Sequence, residues 1–191
     1  MRVSDDRYTR DRHRFDLALR FIRHEARTYT IRQWTGLSDD RIRKLYRSYC
    51  AEQESHVILR HRGKSPRRAA FFFRSTEASF QAAQLASLFL MYGLMSSNGV
   101  KLEPRYQVGS LESGALLCRT YEAYLELHGP AGISFEHAWF LLLALARQDE
   151  VGIARCAGCG GLQVRDLLAR HKLAGADCAG AYHCAAPAAP C

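Results

Sequence analysis

Two sets of side chains in this chain have the types and spacing to do chemistry. The first is Cys156-Ala-Gly-Cys159-Gly-Gly. Two thiolates at C-x2-C spacing can bite one tetrahedral ion at ~2.3 Å, and the glycines let backbone N–H groups turn toward the sulfurs. A second half should return the other two ligands roughly 15–20 residues later. Cys178 arrives at that distance, but Ala181 stands where its C-x2-C partner would be. Cys184 is the best-placed fourth ligand, with His183 and Cys191 as competitors and His171 as a weaker candidate. Four protein ligands leave no position for water or substrate, so one Zn2+ per chain, held by Cys156, Cys159, Cys178 and Cys184, would be structural. A redox role for the C-x2-C pair is disfavoured, because no thioredoxin-like βαβ pattern precedes it.

The second set is cationic. The stretch TIRQWTGLSDDRIRKLYRSYC reads as Ile31-x2-Trp34-x-Gly36-Leu37-Ser38-x3-Ile42-x2-Leu45. Ile31 and Trp34 share a face of one helix, and Gly36 ends it where φ > 0 is needed. Leu37 plugs the corner, and Ser38 accepts a backbone N–H bond to start the next helix. Ile42 and Leu45 pack that helix back, with Ala26 as a small residue at the approach. This is the pattern of a helix-turn-helix. Arg41, Arg43, Lys44 and Arg47 are left over on the second helix, with Arg32 on the first, as candidate DNA-binding residues for base edges and phosphates. Asp39 and Asp40 suit the helix N-terminus electrostatically but would oppose phosphate docked there end-on. An ordinary αα-hairpin with a glycine turn has the same apolar pattern.

The charge distribution favours the polyanion reading. The chain has 191 residues and net charge +8. Residues 1–70 hold 18 Lys+Arg and 9 Asp+Glu, a net of +9; residues 71–191 hold 9 and 10, a net of −1. A localised basic surface is the electrostatic footprint of a nucleic-acid binder. No Ser/His/Asp order, Gly-rich phosphate loop or H-E-x-x-H is present, and the histidines are scattered, so an enzyme is not expected. His137 reads as a core histidine.

The elements that must position these groups are helical. Residues 7–29 read as one amphipathic helix with Phe15, Ala18, Leu19, Ile22, Ala26 and Tyr29 on its apolar side. Residues 60–70 read as a basic loop or linker, followed by an aromatic FFF run. A helix is expected over 75–95 with Ser75 or Thr76 as cap, a turn at SSNGV, and an exposed loop over KLEPRYQVGSLES. Further helices are expected over 111–128 and from Ser134 to about 148. No convincing strand alternation precedes residue 150, and from Cys156 the chain reads as loop-like. Cys50 and Cys118 are expected to be small buried hydrophobes. Hydrophobic residues make up 48% of the chain, enough for a genuine core. The most apolar run, 78–95, carries Gln81, Gln84 and Ser87 and is read as a packed helix, and the first residues lack an apolar signal region. A cytoplasmic, non-membrane protein is expected.

Several stretches together carry a family resemblance: TGLSDDRIRKLYR, SNGV after a long apolar helix, YEAYLEL, and HAWFLLLALARQDEVGIARCAGCGG with a terminal cysteine pair. Over roughly residues 10–185 the chain resembles the FlhC family of bacterial flagellar transcription activators. The resemblance implies a mostly helical chain with zinc on four cysteines. It also implies hetero-oligomerisation with an FlhD-like subunit, binding to double-stranded promoter DNA of flagellar (class II) operons, and activation with RNA polymerase. Cys156, Cys159 and Cys178 match three family ligands, while Cys184 sits three residues late for the fourth.

The expected architecture is therefore mainly α. It comprises a basic helix-turn-helix-like DNA-binding region (1–70), a helical core and partner-binding region (71–152), and a small Cys-rich zinc-binding region (153–191). The alternative function is a helical partner-binding adaptor, built on helices 75–95 and 133–151, that keeps the zinc site but lacks specific DNA binding.

Overall fold

The structure, a computed structural model, describes residues 3–52, 58–61, 63–98, 102–130, 132–156 and 160–169, without the side chains of residues 3–6 and 50–52. It is mainly helical. In chain order the elements are α1 (Val3–Arg23), α2 (Thr28–Thr35), α3 (Asp39–Glu52), a 3₁₀ turn (Ala69–Phe73), α4 (Thr76–Met91), β1 (Met95–Ser97), β2 (Leu102–Pro104), α5 (Leu111–His128), α6 (Phe135–Arg147), β3 (Val151–Arg155) and β4 (Leu162–Asp166).

Leu17, Ala18, Phe21 and Ile22 recur at helical spacing and are all buried, so α1 lays one stripe on the core. The expected helix over 7–29 is interrupted after Arg23. Glu25 adopts φ +57°, a left-handed conformation that costs a non-glycine residue about 1 kcal/mol or more. No Gly or Pro marks this break. Tertiary contacts hold it instead. The Ala26 N–H bonds back to the Phe21 carbonyl at 3.0 Å, and Ala26 is wholly buried. The Glu25 carboxylate accepts from Leu59 N–H at 3.0 Å and pairs with His61 Nε2 at 2.9 Å. Tyr29 therefore falls on α2, where it is exposed rather than apolar-facing.

The α2–α3 corner follows its sequence pattern closely. Gly36 has φ +68° and its N–H closes on the Arg32 carbonyl at 2.9 Å. Leu37 is buried. The Ser38 hydroxyl faces Arg41 N–H at 3.4 Å, and its carbonyl accepts from Ile42 N–H at 3.0 Å. Among the described side chains of α3, Ile42 and Tyr46 are buried and Leu45 partly buried; the side chain of Cys50, expected to be buried, lies outside them. Tyr46 also donates its hydroxyl proton to the Ala26 carbonyl, so the small residue at position 26 does mark the helix approach.

The later helices carry serine caps: Ser75 for α4, Ser110 for α5 and Ser134 for α6. α4 stops at Met91, short of the expected residue 95. The chain then turns at Gly93 and enters the β1–β2 ribbon, in antiparallel register Ser96↔Glu103. A loop was expected over much of this segment. Three-residue strands are too short to show a period of two, and the ribbon is fixed by burial of Met95 and Leu102 instead. The Gln148 amide donates to the Leu102 carbonyl at 2.8 Å and ties the ribbon to the end of α6. Of the end expected to be loop-like from Cys156, Leu162–Asp166 form a strand instead, while residues 157–159 and 170–191 lie outside the described residues. β3 and β4 form an antiparallel hairpin with Ile153 opposite Val164, and it packs on α4 and α6.

One cluster of buried side chains runs from Leu17 to Val164. Trp34 of α2 sits at its centre, fully buried, 5.1 Å from the Trp139 ring of α6 and 6.3 Å from Phe21 of α1. α5 comes close because residue 114 is glycine. A Cβ there would stand 2.8 Å from Leu17 Cδ2 and 3.3 Å from Trp34 Cε3. α1 and α5 are further joined by Arg20, whose guanidinium bonds both oxygens of Glu122, with His24 Nε2 at 3.0 Å from the same carboxylate. Hydrogen bonding from Arg20 holds the Glu122 carboxyl below its ordinary range, while burial pushes His24 down. Cys118 lies in the core as expected, its thiol pushed up to about 12 by burial.

Two outcomes test this packing. Gly114→Ala gains up to about 1 kcal/mol of helix propensity. Overpacking against Leu17 and Trp34 costs roughly 1–3 kcal/mol and outweighs it. Thermal unfolding should show a lower Tm; a Tm equal to or above the parent would contradict the close approach. His137 stacks on Phe71 at 3.7 Å, and burial lowers its pKa to about 4. The unfolded chain therefore takes up this proton from about pH 6.5 downward while the folded chain does not. The contribution of His137 is intact above that pH and is lost progressively toward about pH 4. His137→Phe keeps the stack and should flatten the fall of Tm across that window.

Candidate nucleic-acid interface

The cationic side chains singled out on α3 separate cleanly from its buried ones. At about 100° per residue, Arg43, Lys44 and Arg47 cluster on an arc of roughly 100° opposite Ile42, Tyr46 and Tyr49. All three are exposed. Arg41 falls about 60° outside this arc, on the side of Leu45. It is exposed, and its guanidinium lies over the Phe15 ring of α1 at 5.9 Å. The outward face of α3 thus carries a compact group of three cations, with a fourth leaning toward α1.

The two aspartates at the start of α3 engage cations. Asp40 pairs with Arg43 at 2.9 Å, within one helical turn, and Asp39 pairs with Arg32 of α2 at 3.4 Å. Arg32 also lies over the Tyr29 ring at 5.4 Å. These are exposed pairs, each worth on the order of 0–1 kcal/mol. They hold the arginines loosely, and a phosphate can displace the carboxylate partner. Lys44 and Arg47 have no acidic partner among the described residues. Of the five candidates, α3 therefore groups Arg43, Lys44 and Arg47. Arg32 stands across the corner, and Arg41 is turned toward α1.

The sequence pattern missed a further cation, Arg60, near Arg43. The basic segment expected to be a linker folds back over the α1–α2 corner, held through Leu59 and His61 by Glu25. Arg60 reaches Thr28 Oγ1 at 3.4 Å and lies over the Tyr46 ring at 5.5 Å. Lys64, Arg67 and Arg68 follow, all exposed. The available signal was the composition of RHRGKSPRR, but its anchor, Glu25, lies far away in sequence.

Of the four cysteines proposed as zinc ligands, Cys156 is within the described residues; Cys159, Cys178 and Cys184 lie outside them, as do His171, His183 and Cys191. Cys156 directly follows β3 and is buried. Its N–H donates to the Gly161 carbonyl at 2.8 Å, and its carbonyl accepts from Gly160 N–H at 2.9 Å. Gly160 has φ +70°. Of the proposed four-cysteine site the described residues thus hold one thiol, just past the end of β3. Among the described residues, no three His, Cys, Asp or Glu side chains converge as metal ligands. Nor is any described helix long and apolar enough to cross a membrane.

No known protein family's sequence profile matches the chain, and no curated protein matches it at a significant score.

Proposed function

We propose that this chain is the DNA-binding subunit of a transcription activator, working with an FlhD-like partner and RNA polymerase at flagellar promoters. The observation that carries the DNA-binding reading is the face of α3. Arg43, Lys44 and Arg47 point away from the core, on a helix set by a Gly36–Leu37–Ser38 corner. A helix held in this way, with cations outward and its apolar side anchored, is suited to lie along the major groove. Further support comes from the net +9 of residues 1–70 and from Arg60, which lies over the Tyr46 ring of α3. The flagellar role and the partner rest on the resemblance of the motifs to the FlhC family. The helix-turn-helix-like segment is then the reading element, and the Cys-rich region is a structural zinc module.

Binding should be dominated by phosphate neutralisation, and so by salt. Each phosphate contact contributes about −0.9 to the slope of log K against log salt. Arg47→Ala and Lys44→Ala should each reduce the slope by about one while far-UV circular dichroism stays unchanged. Asp39→Asn and Asp40→Asn should strengthen binding, because each removes a repelling charge and releases an arginine. Fluorescence anisotropy of the chain with its partner, on labelled duplex across a salt series, measures both. Unchanged affinity in all four variants would sink the reading and favour the adaptor.

The zinc assignment has its own test. Protein purified without chelator should contain about one equivalent of Zn2+, bound through Cys156, Cys159, Cys178 and Cys184. Cys184→Ser should release it and Cys191→Ser should not. Protein without zinc, or loss in the Cys191 variant alone, would contradict this ligand set.

A further inference from the structure

The 3₁₀ turn Ala69–Phe73 carries arginines at both ends. Arg67 and Arg68 precede it, Arg74 follows it, and all three are exposed. A rise of about 2 Å per residue puts Arg68 and Arg74 within roughly 12 Å of one another. None of the three is ion-paired with a described carboxylate. Residues 64–79 hold four Lys+Arg and one acid, Glu77, a net of +3. Glu77 lies in the first turn of α4 and accepts from the Gln81 amide at 2.6 Å. Glu136, next to the histidine on which the turn stacks, is buried and accepts from Arg27 N–H at 2.8 Å.

Packing fixes the turn. Ala69 and Phe72 are buried, and Phe72 stacks on Phe140 of α6 at 5.9 Å. The Phe71 N–H donates to the Arg68 carbonyl at 3.2 Å, and the Ser79 hydroxyl donates to the Phe72 carbonyl at 3.0 Å. Phe71 stacks on His137 at 3.7 Å, and the Arg74 guanidinium lies over Phe71 at 4.2 Å. Stacking uses the flat face of a guanidinium and leaves its N–H edges for a ligand. The local field is positive as well. After burial, the charges of Arg74 and Arg27 are what lower His137. Arg27 also shares a wall with Arg43 of α3, so it adjoins both the turn and the reading helix.

We propose that Arg67, Arg68 and Arg74 form a second DNA contact, gripping backbone phosphates of the duplex beyond the stretch that α3 enters. The inference rests on the DNA-binding reading above and extends the contact to a turn beyond the start of α2. The chemistry favours a phosphate backbone over a protein partner. No large apolar side chain of residues 64–79 is exposed, whereas the core of a protein interface is depleted of charge and enriched in aromatic side chains. Phosphate recognition needs only cations and N–H donors held in place. Contacts of this kind position the duplex without reading its sequence.

The test compares the double variant Arg67→Gln/Arg68→Gln with Lys44→Ala on α3. Anisotropy titrations use the chain with its partner, on specific and unrelated duplexes, across a salt series. The double variant should lower the salt slope by about two and weaken both duplexes by the same factor. Arg74→Gln should lower it by about one, and Arg74→Lys should keep it. If Lys44→Ala lowers the slope and none of the turn variants does, the turn is not a phosphate contact and the DNA reading stands. If no variant changes binding, the DNA reading fails and this proposal with it. A double variant that binds DNA as the parent does but no longer recruits RNA polymerase to the promoter complex would assign the turn to a protein and overturn the proposal. Arg67 and Arg68 are exposed, so the double variant should fold, with an unchanged Tm.

Discussion

The placement of α2, and through it of the cationic face of α3, depends on apolar packing around Trp34, which α5 approaches closely at Gly114. A single methyl group at that position would stand within 2.8 Å of Leu17. Because it is absent, Trp34 can settle between Phe21 and Trp139, and α2 takes its place on the core. α3 then follows through a three-residue corner with no freedom of its own, since Leu37, Ile42 and Tyr46 are all buried. The cationic face of α3 is thus aimed by apolar packing on its opposite side. The ion pair of Arg20 with Glu122 reinforces the α1–α5 contact, but it is only half-buried and contributes less than the ring cluster.

Local chemistry was legible in the sequence wherever one short segment holds all of its own determinants. The α2–α3 corner is the clearest case, because Gly36, Leu37 and Ser38 each do one job within three positions. Ser134 as a cap was readable for the same reason. Elements held by distant partners were not readable. Glu25 breaks a helix without Gly or Pro because its carboxylate finds Leu59 and His61, a contact that leaves no periodic trace. The β1–β2 ribbon has too few residues per strand for alternation to appear. The hairpin around Cys156 was hidden by its own glycines and cysteines, which read locally as loop.

The candidate interface divides along the same line. Arg43, Lys44 and Arg47 could be placed from helical periodicity alone, since the buried set fixes which side is outward. That Asp39 and Asp40 neutralise Arg32 and Arg43 follows from their spacing only once the corner geometry is known. The position of Arg60 required the fold, and it adds to the basic helix a cation held over the Tyr46 ring. A surface of this kind combines mobile cations for long-range attraction with fixed ones for orientation.

The most direct test of this account is hydrogen exchange of the chain, with and without duplex DNA at low salt. If the basic face is the contact surface, added protection should fall on α3 and on residues 58–68. The α4 and α5 amides should then be unchanged. Protection confined to α4, α5 or the β3–β4 hairpin, or no protection under conditions where the duplex is bound, would contradict it.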